Sequence, residues 1–193
     1  MSLEREHMDT SATPARYAAW WRRAEGAFLL RFAVIAGVLS SLYAFPYSPE
    51  AGIHAFIARY LEAYASAAGA VVRLFDPGVR VSGAEIFGRY SLSIVKDCDA
   101  MDVNILLAAA VVSFPASLAR RAAGVLAGLA LVMVANISRI CALYFIGSSA
   151  PRAFEFAHRE LFPLILVLLA GTFFLIWARS ARSSEPASAN AAT

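Results

Sequence analysis

The chain has 193 residues, of which 60% are hydrophobic and only 16% charged. Soluble domains hold about 45–50% apolar and about 25% charged residues. The 17 basic and 14 acidic residues (formal net charge +3) avoid four windows, 32–49, 103–119, 122–138 and 161–178, so a polar sequence is interrupted by four membrane-length gaps. That excludes a soluble globular enzyme, a disordered protein and a nucleic-acid binder.

Residues 1–26 read as a cytoplasmic lead, its first fifteen residues disordered. A first membrane helix is expected over about 27–46. A helix needs roughly 20 apolar residues to cross a bilayer core of about 30 Å, and the long charged lead with Glu25 argues against a cleaved signal. Residues 52–75 follow, with Ile53, Phe56, Ile57, Tyr60, Leu61 and Tyr64 in a one-sided stripe interrupted by His54, Arg59, Glu62 and Arg73. A helix with one charged face is expected to lie in the outer interface rather than to cross. Asp76-Pro77-Gly78 signals a turn. Val79 and Val81 alternate with polar residues, and residues 90–95 read as a strand, so a small outer β-hairpin is expected to lead into Cys98. Further membrane helices are expected over about 101–119, 122–146 and 161–179, followed by a disordered cytoplasmic tail over 180–193. The fold class is therefore an all-α integral membrane protein of about four transmembrane helices, an outer interfacial helix and a small extracytoplasmic β-hairpin. Residues 27–179 form its membrane-embedded domain.

Basic residues orient this chain. Arg16, Arg22, Arg23 and Arg31 precede the first helix, Arg120 and Arg121 sit between the second and third, and Arg179 and Arg182 follow the fourth. Four crossings with both ends inside place all three groups in the cytoplasm.

The same topology brings three reactive residues to the outer leaflet. Cys98 just precedes the second helix. Asp97 is expected to cap that helix, placing Cys98 in its first turn, where the thiolate is favoured; Asp97, Asp99 and Asp102 push the other way, so a cation is required nearby. A structural cysteine is the alternative. Arg139 interrupts the third helix, where charge is costly and usually functional. Asn136 shares its face and could hold it, whereas snorkelling to headgroups is the other reading. His158 could serve as a base or a cation, with Glu155 one turn earlier to orient it; an ordinary interfacial loop histidine, as His54 is read, competes. Cys141 points away from Arg139 and is read as packing or lipid-facing. Gly124 and Gly128 fit a close-packing pattern, and Pro163 falls near a helix start, where its missing N–H costs little. Rival catalytic motifs are absent, a zinc site is not expected and no cofactor is implied.

Four stretches in order, VKDCDAMD at 95–102, SFPASLARR at 113–121, ANISRI at 135–140 and FEFAH at 154–158, resemble the exosortase/archaeosortase family over roughly 51–177, most closely the exosortase H type. The chain departs from the family in having Asp99 and Ala100 where Ser or Asn and then Gly often follow the cysteine. The resemblance implies a cysteine transpeptidase of the bacterial inner membrane, with Cys98 as nucleophile and Arg139 and His158 as its partners on the periplasmic side. Asn136, Asp97, Asp102 and Glu155 would support them. It further implies membrane lipids and exported proteins as partners, the latter ending in a short motif (of an Ile-Pro-Thr-Leu kind for the H type), a membrane helix and a basic cluster. The residues by themselves also allow a non-catalytic scaffold for surface polysaccharide or protein export, or an acyl- or lipid-transferring enzyme using the same thiol.

Overall fold

The computed structural model describes residues 14–45 and 52–183, so the expectations for 1–13 and 184–193 fall outside that range, whereas 14–26, expected as a lead before the first helix, and 180–183, expected as disordered tail, are helical. Helix α1 spans Pro14–Ala44 and α2 spans Gly52–Val72. Strands β1 (Arg80–Ser82), β2 (Glu85–Phe87) and β3 (Leu92–Ser93) follow. A 3₁₀ turn at Lys96–Cys98 leads into α3 (Met101–Ser113) and α4 (Leu118–Ser149). Helix α5 (Pro151–Phe156), a π turn at Ala157–Leu161 and α6 (Phe162–Ser183) complete the chain. The protein is thus mostly helical with one small sheet.

Among the described residues, three helical stretches are long and apolar enough to cross a membrane: Glu25–Ala44, Leu118–Ser149 and Pro151–Arg182. Their outward faces carry large apolar side chains such as Leu30, Val34, Leu126, Val134, Leu168 and Ile176, as lipid contact requires. The expected second span is shorter than its apolar window. Helix α3 has 13 residues, about 20 Å at 1.5 Å per residue. It stops because Pro115 forces the preceding Phe114 out of helical geometry (φ −70°, ψ 139°). Ser117 is also extended, so Arg120 and Arg121 lie in the first turn of α4 rather than in a link. Nor is the segment before α6 a loop: α4 ends at Ser149, and after the single residue Ala150 Pro151 starts α5.

Helix α4 is the axis of the fold. Its first half packs on α3 and α6 through Leu107, Val111, Val132, Leu166 and Ala170. Close approach needs glycine there: a Cβ on Gly124 would stand 2.5 Å from Trp177 Nε1, and one on Gly128 would stand 2.8 Å from Leu107 Cδ2. The small-residue pattern is a packing seam.

The outer third of α4 is covered by α2 and the sheet instead of lipid. Tyr64, Ala65, Ala68 and Val72 of α2 bury against Ile140, Cys141, Leu143 and Tyr144 of α4 and Ile86 and Leu92 of the sheet. The α2 stripe expected to face the membrane interface is therefore spent largely on protein. Cys141 Sγ donates to the Ala68 carbonyl at 3.6 Å, and both cysteines are free thiols. The hairpin has become a three-stranded antiparallel sheet in the order β1-β2-β3, with Val81 opposite Ile86 and Ile86 opposite Leu92. Asp76 fastens it to α4. Its Oδ2 accepts the Tyr144 hydroxyl at 2.7 Å and pairs with Arg89 Nε at 3.5 Å, and the Arg89 N–H donates to the same hydroxyl. These donors hold the Asp76 carboxyl below the usual carboxylate range.

Candidate functional site

The site begins at the 3₁₀ turn. Cys98 is its last residue and is buried. It is not in the first turn of α3, and Asp99 Oδ1 accepts the Met101 N–H at 2.8 Å where that helix starts; the expectation for the Asp97 side chain lies outside the described residues. Between Asp99 and Met101, Ala100 adopts the left-handed conformation (φ 56°, ψ 23°) that lets the turn reverse into the helix. Asn136 of α4 then pins the turn by donating from Nδ2 to the Cys98 carbonyl at 2.8 Å. The expected partner of Arg139 is thus a partner of Cys98.

Arg139 lies one turn further along α4, 5% exposed, so its side chain is turned into the protein instead of snorkelling outward. Its Nη2 donates to the His158 carbonyl at 3.2 Å, while its Nε has no hydrogen-bond partner among the described residues. Cys98 and Asp99 are both within electrostatic reach of the guanidinium.

His158 sits in the π turn. Phe162 N–H bonds back five residues to the Ala157 carbonyl, and the residue five beyond His158 is Pro163, which has no N–H to give. The His158 carbonyl is thereby left for Arg139. Insertions of this kind are frequent at functional sites. The imidazole stacks on Phe154 at 5.7 Å between centroids and 13° between planes, and Phe154 packs on Tyr90. Glu155 does not orient it: its carboxylate pairs with Arg159 Nε at 2.5 Å and is exposed. Asp102 is exposed on the first turn of α3, away from the buried turn.

Asp99, Tyr43 and Lys96 complete the arrangement; the sequence marked Asp99 only as an acid opposing the thiolate and as a departure from the family, and marked neither Tyr43 nor Lys96 as a site residue. Asp99 is 2% exposed. The Tyr43 hydroxyl at the end of α1 donates to Asp99 Oδ2. Lys96 Nζ reaches back to the Tyr43 carbonyl at 2.9 Å and lies 4.3 Å over the Tyr43 ring centroid. Burial pushes the Asp99 carboxyl up, against the opposing pull of the Tyr43 and Met101 donors. The nearest sequence signal was three acids close to one cysteine (Asp97, Asp99 and Asp102), which does not say that Asp99 is buried. Beside the turn, Phe45, His54, Ile57, Leu61 and Lys96 line a cavity of about 280 Å³. No group of three or more His, Cys, Asp or Glu side chains able to hold a metal ion occurs among the described residues.

Fold and site together describe a helical membrane protein that gathers a thiol, a guanidinium and an imidazole-bearing turn at one end of its bundle. The chain belongs to the transmembrane exosortase family: the family model described as transmembrane exosortase (Exosortase_EpsH) matches residues 17–177. The match takes in α1, which the motif-based resemblance left out. No curated protein and no solved structure matches the chain.

Proposed function

We propose that this protein is a membrane-embedded cysteine transpeptidase, most like the exosortase H type. It would cleave the C-terminal sorting signal of exported proteins at the outer face of the bacterial inner membrane. In this reading α3 is the fourth, short crossing, completed by the turns at its ends, and α2 stays on the outer side. The observation that carries the reading is the bond from Arg139 to the π turn of His158, made by a buried guanidinium within electrostatic reach of Cys98.

The chemistry follows from those groups. Cys98 passes its thiol proton to His158, the thiolate attacks the carbonyl carbon of the scissile peptide, and the carbonyl electrons move onto oxygen. The unused Arg139 Nε–H is a donor for that oxyanion. As the C–N bond breaks, His158 gives the leaving amine a proton, leaving a thioester on Cys98. An acceptor nucleophile surrenders a proton to His158, attacks the thioester and releases the thiolate. The cavity beside Lys96 offers room for substrate next to the turn.

Cys98→Ala and Cys98→Ser are expected to yield folded protein and to accumulate the uncleaved precursor of an exported reporter ending in an Ile-Pro-Thr-Leu-type motif, an apolar helix and a basic cluster. Normal processing by both variants would sink the proposal and leave the scaffold reading. A lipid rather than a peptide on trapped Cys98 would favour acyl or lipid transfer.

A further inference from the structure

One edge of the outer sheet is open, and it runs into the site. The order β1-β2-β3 leaves β1 and β3 outermost. Helix α2 packs on β1: a Cβ on Gly69 would run into the Val81 side chain, and Arg73 Nε donates to the Val79 carbonyl at 3.1 Å. Beyond β3 no further strand occurs among the described residues, and the backbone stays extended as far as Val95 (φ −110°, ψ 170°). The Ile94 N–H donates to the Ala84 carbonyl at 2.8 Å, with Ser93 opposite Glu85 and Leu92 opposite Ile86. Bonded and non-bonded pairs alternate along an antiparallel ladder. Leu92 and Ile94 therefore spend their N–H and C=O groups on β2, whereas Ser93 and Val95 turn theirs toward the open edge. The outward Val95 carbonyl accepts the Cys98 N–H at 2.8 Å. Cys98 thus stands where a neighbouring strand would continue. Natural sheets guard open edges with charged side chains, proline or bulges, yet Ser91, Ser93 and Val95 are exposed and uncharged.

We propose that this edge is where the substrate docks: an extended segment beside the scissile bond adds to β3 as a fourth strand, and the line of that strand leads its carbonyl to Cys98. An extended peptide presents N–H and C=O groups at the same two-residue period as the edge, so main-chain bonds hold it while alternate side chains are left for selection. From Leu92 through Val95 the edge is about 13 Å long at roughly 3.3 Å per residue, the span of a short motif. A membrane helix spends its N–H and C=O groups internally. Only the unwound segment beyond the end of a substrate's helix can therefore join the edge, which places cleavage outside that helix. The proposal rests on the transpeptidase reading, whose substrate supplies the segment, but its test reads docking without cleavage.

The measurement is oxidative disulfide trapping in membranes, with the full-length protein in a Cys98→Ala, Cys141→Ala background. Its partner is the reporter precursor described above, carrying single cysteines at successive positions through its motif. Ser91→Cys, Ser93→Cys and Val95→Cys are each expected to trap one reporter position. Moving the cysteine by two along β3 is expected to move the trapped position by two, since paired strands share a two-residue period. Glu85→Cys lies on the same face opposite Ser93 but one strand, about 4.8 Å, further from the edge. It is expected to trap at least tenfold less. Absence of trapping at all three β3 positions, trapping without that step of two, or equal trapping by Glu85→Cys would overturn the proposal. Ser93→Pro, added to Val95→Cys, removes only an N–H that β2 does not use, which edge strands tolerate. It is expected to cut trapping at least tenfold, and undiminished trapping would count against the added strand. Should Ser93→Pro fail to fold, the stepping pattern decides without it. Normal processing by Cys98→Ala would overturn the transpeptidase reading, while the trapping pattern judges the edge separately.

Discussion

Ala100 holds a backbone conformation that alanine resists. At φ 56° its Cβ crowds the following carbonyl, a cost of roughly 1–2 kcal/mol that glycine does not bear. The cost falls between Asp99 and Met101, at the hinge that aims Cys98. Ala100→Gly is therefore expected to stabilise the protein by about 0.5–1 kcal/mol, after the larger chain entropy of glycine is allowed for. Ala100→Val is expected to destabilise it; thermal unfolding in detergent checks both. The sequence marked this position only as a departure from the family's glycine, and the turn geometry supplies the reason a glycine suits it. That Asp99 would meet the Met101 N–H was not legible in the same way. Neighbouring acids on a turn are interchangeable until the turn's rotation is known, and here Tyr43, more than fifty residues earlier, selects Asp99.

At the level of elements, hydropathy located α1, α4 and α6, because apolar length is a property of consecutive residues. It overextended α3, since Pro115 ends the helix while leaving the window uncharged. It also missed the π turn, although the proline that matters was in plain view. Read as a helix start, Pro163 is harmless. Within the run from Pro151 to Ser183 it is interior, and its missing N–H decides which carbonyl is free for Arg139. Pro163→Ala would restore an N–H and let the turn close toward α-helix. The variant is expected to be more stable by about 1–3 kcal/mol. It is also expected to process substrate at least tenfold more slowly, because in the α register the Phe162 N–H takes the His158 carbonyl that holds the guanidinium. Thermal unfolding and the reporter assay would be measured together; full activity at raised stability would show that the turn is dispensable.

At the scale of the molecule, the ends of the bundle differ in charge and in packing. Phe28 stacks near Phe174, Phe114 meets Trp177, Arg120 Nη1 donates to the Ala181 carbonyl, and Arg182 covers the Phe114 ring. The early part of α1, the end of α3, the start of α4 and the end of α6 therefore share one end, and that end carries Arg31, Arg120, Arg121, Arg179 and Arg182. Tyr43, Cys98, Arg139 and His158 share the other. Because Lys96 returns to Tyr43, the whole stretch from α2 through the sheet leaves from and comes back to the site's end. Basic residues favour the cytoplasm, so the proposed transpeptidase is expected to turn its site outward. Two single cysteines in a background lacking Cys98 and Cys141 test this. Glu85→Cys lies on the exposed face of β2, and Leu118→Cys replaces a side chain that is 82% exposed at the start of α4. A membrane-impermeant maleimide added to intact cells with a permeabilised outer envelope is expected to label Glu85→Cys at once. Leu118→Cys should react only after the inner membrane is opened. The reverse pattern would turn the molecule over and put Cys98 on the side where no exported protein has yet crossed, which the transpeptidase reading could not survive.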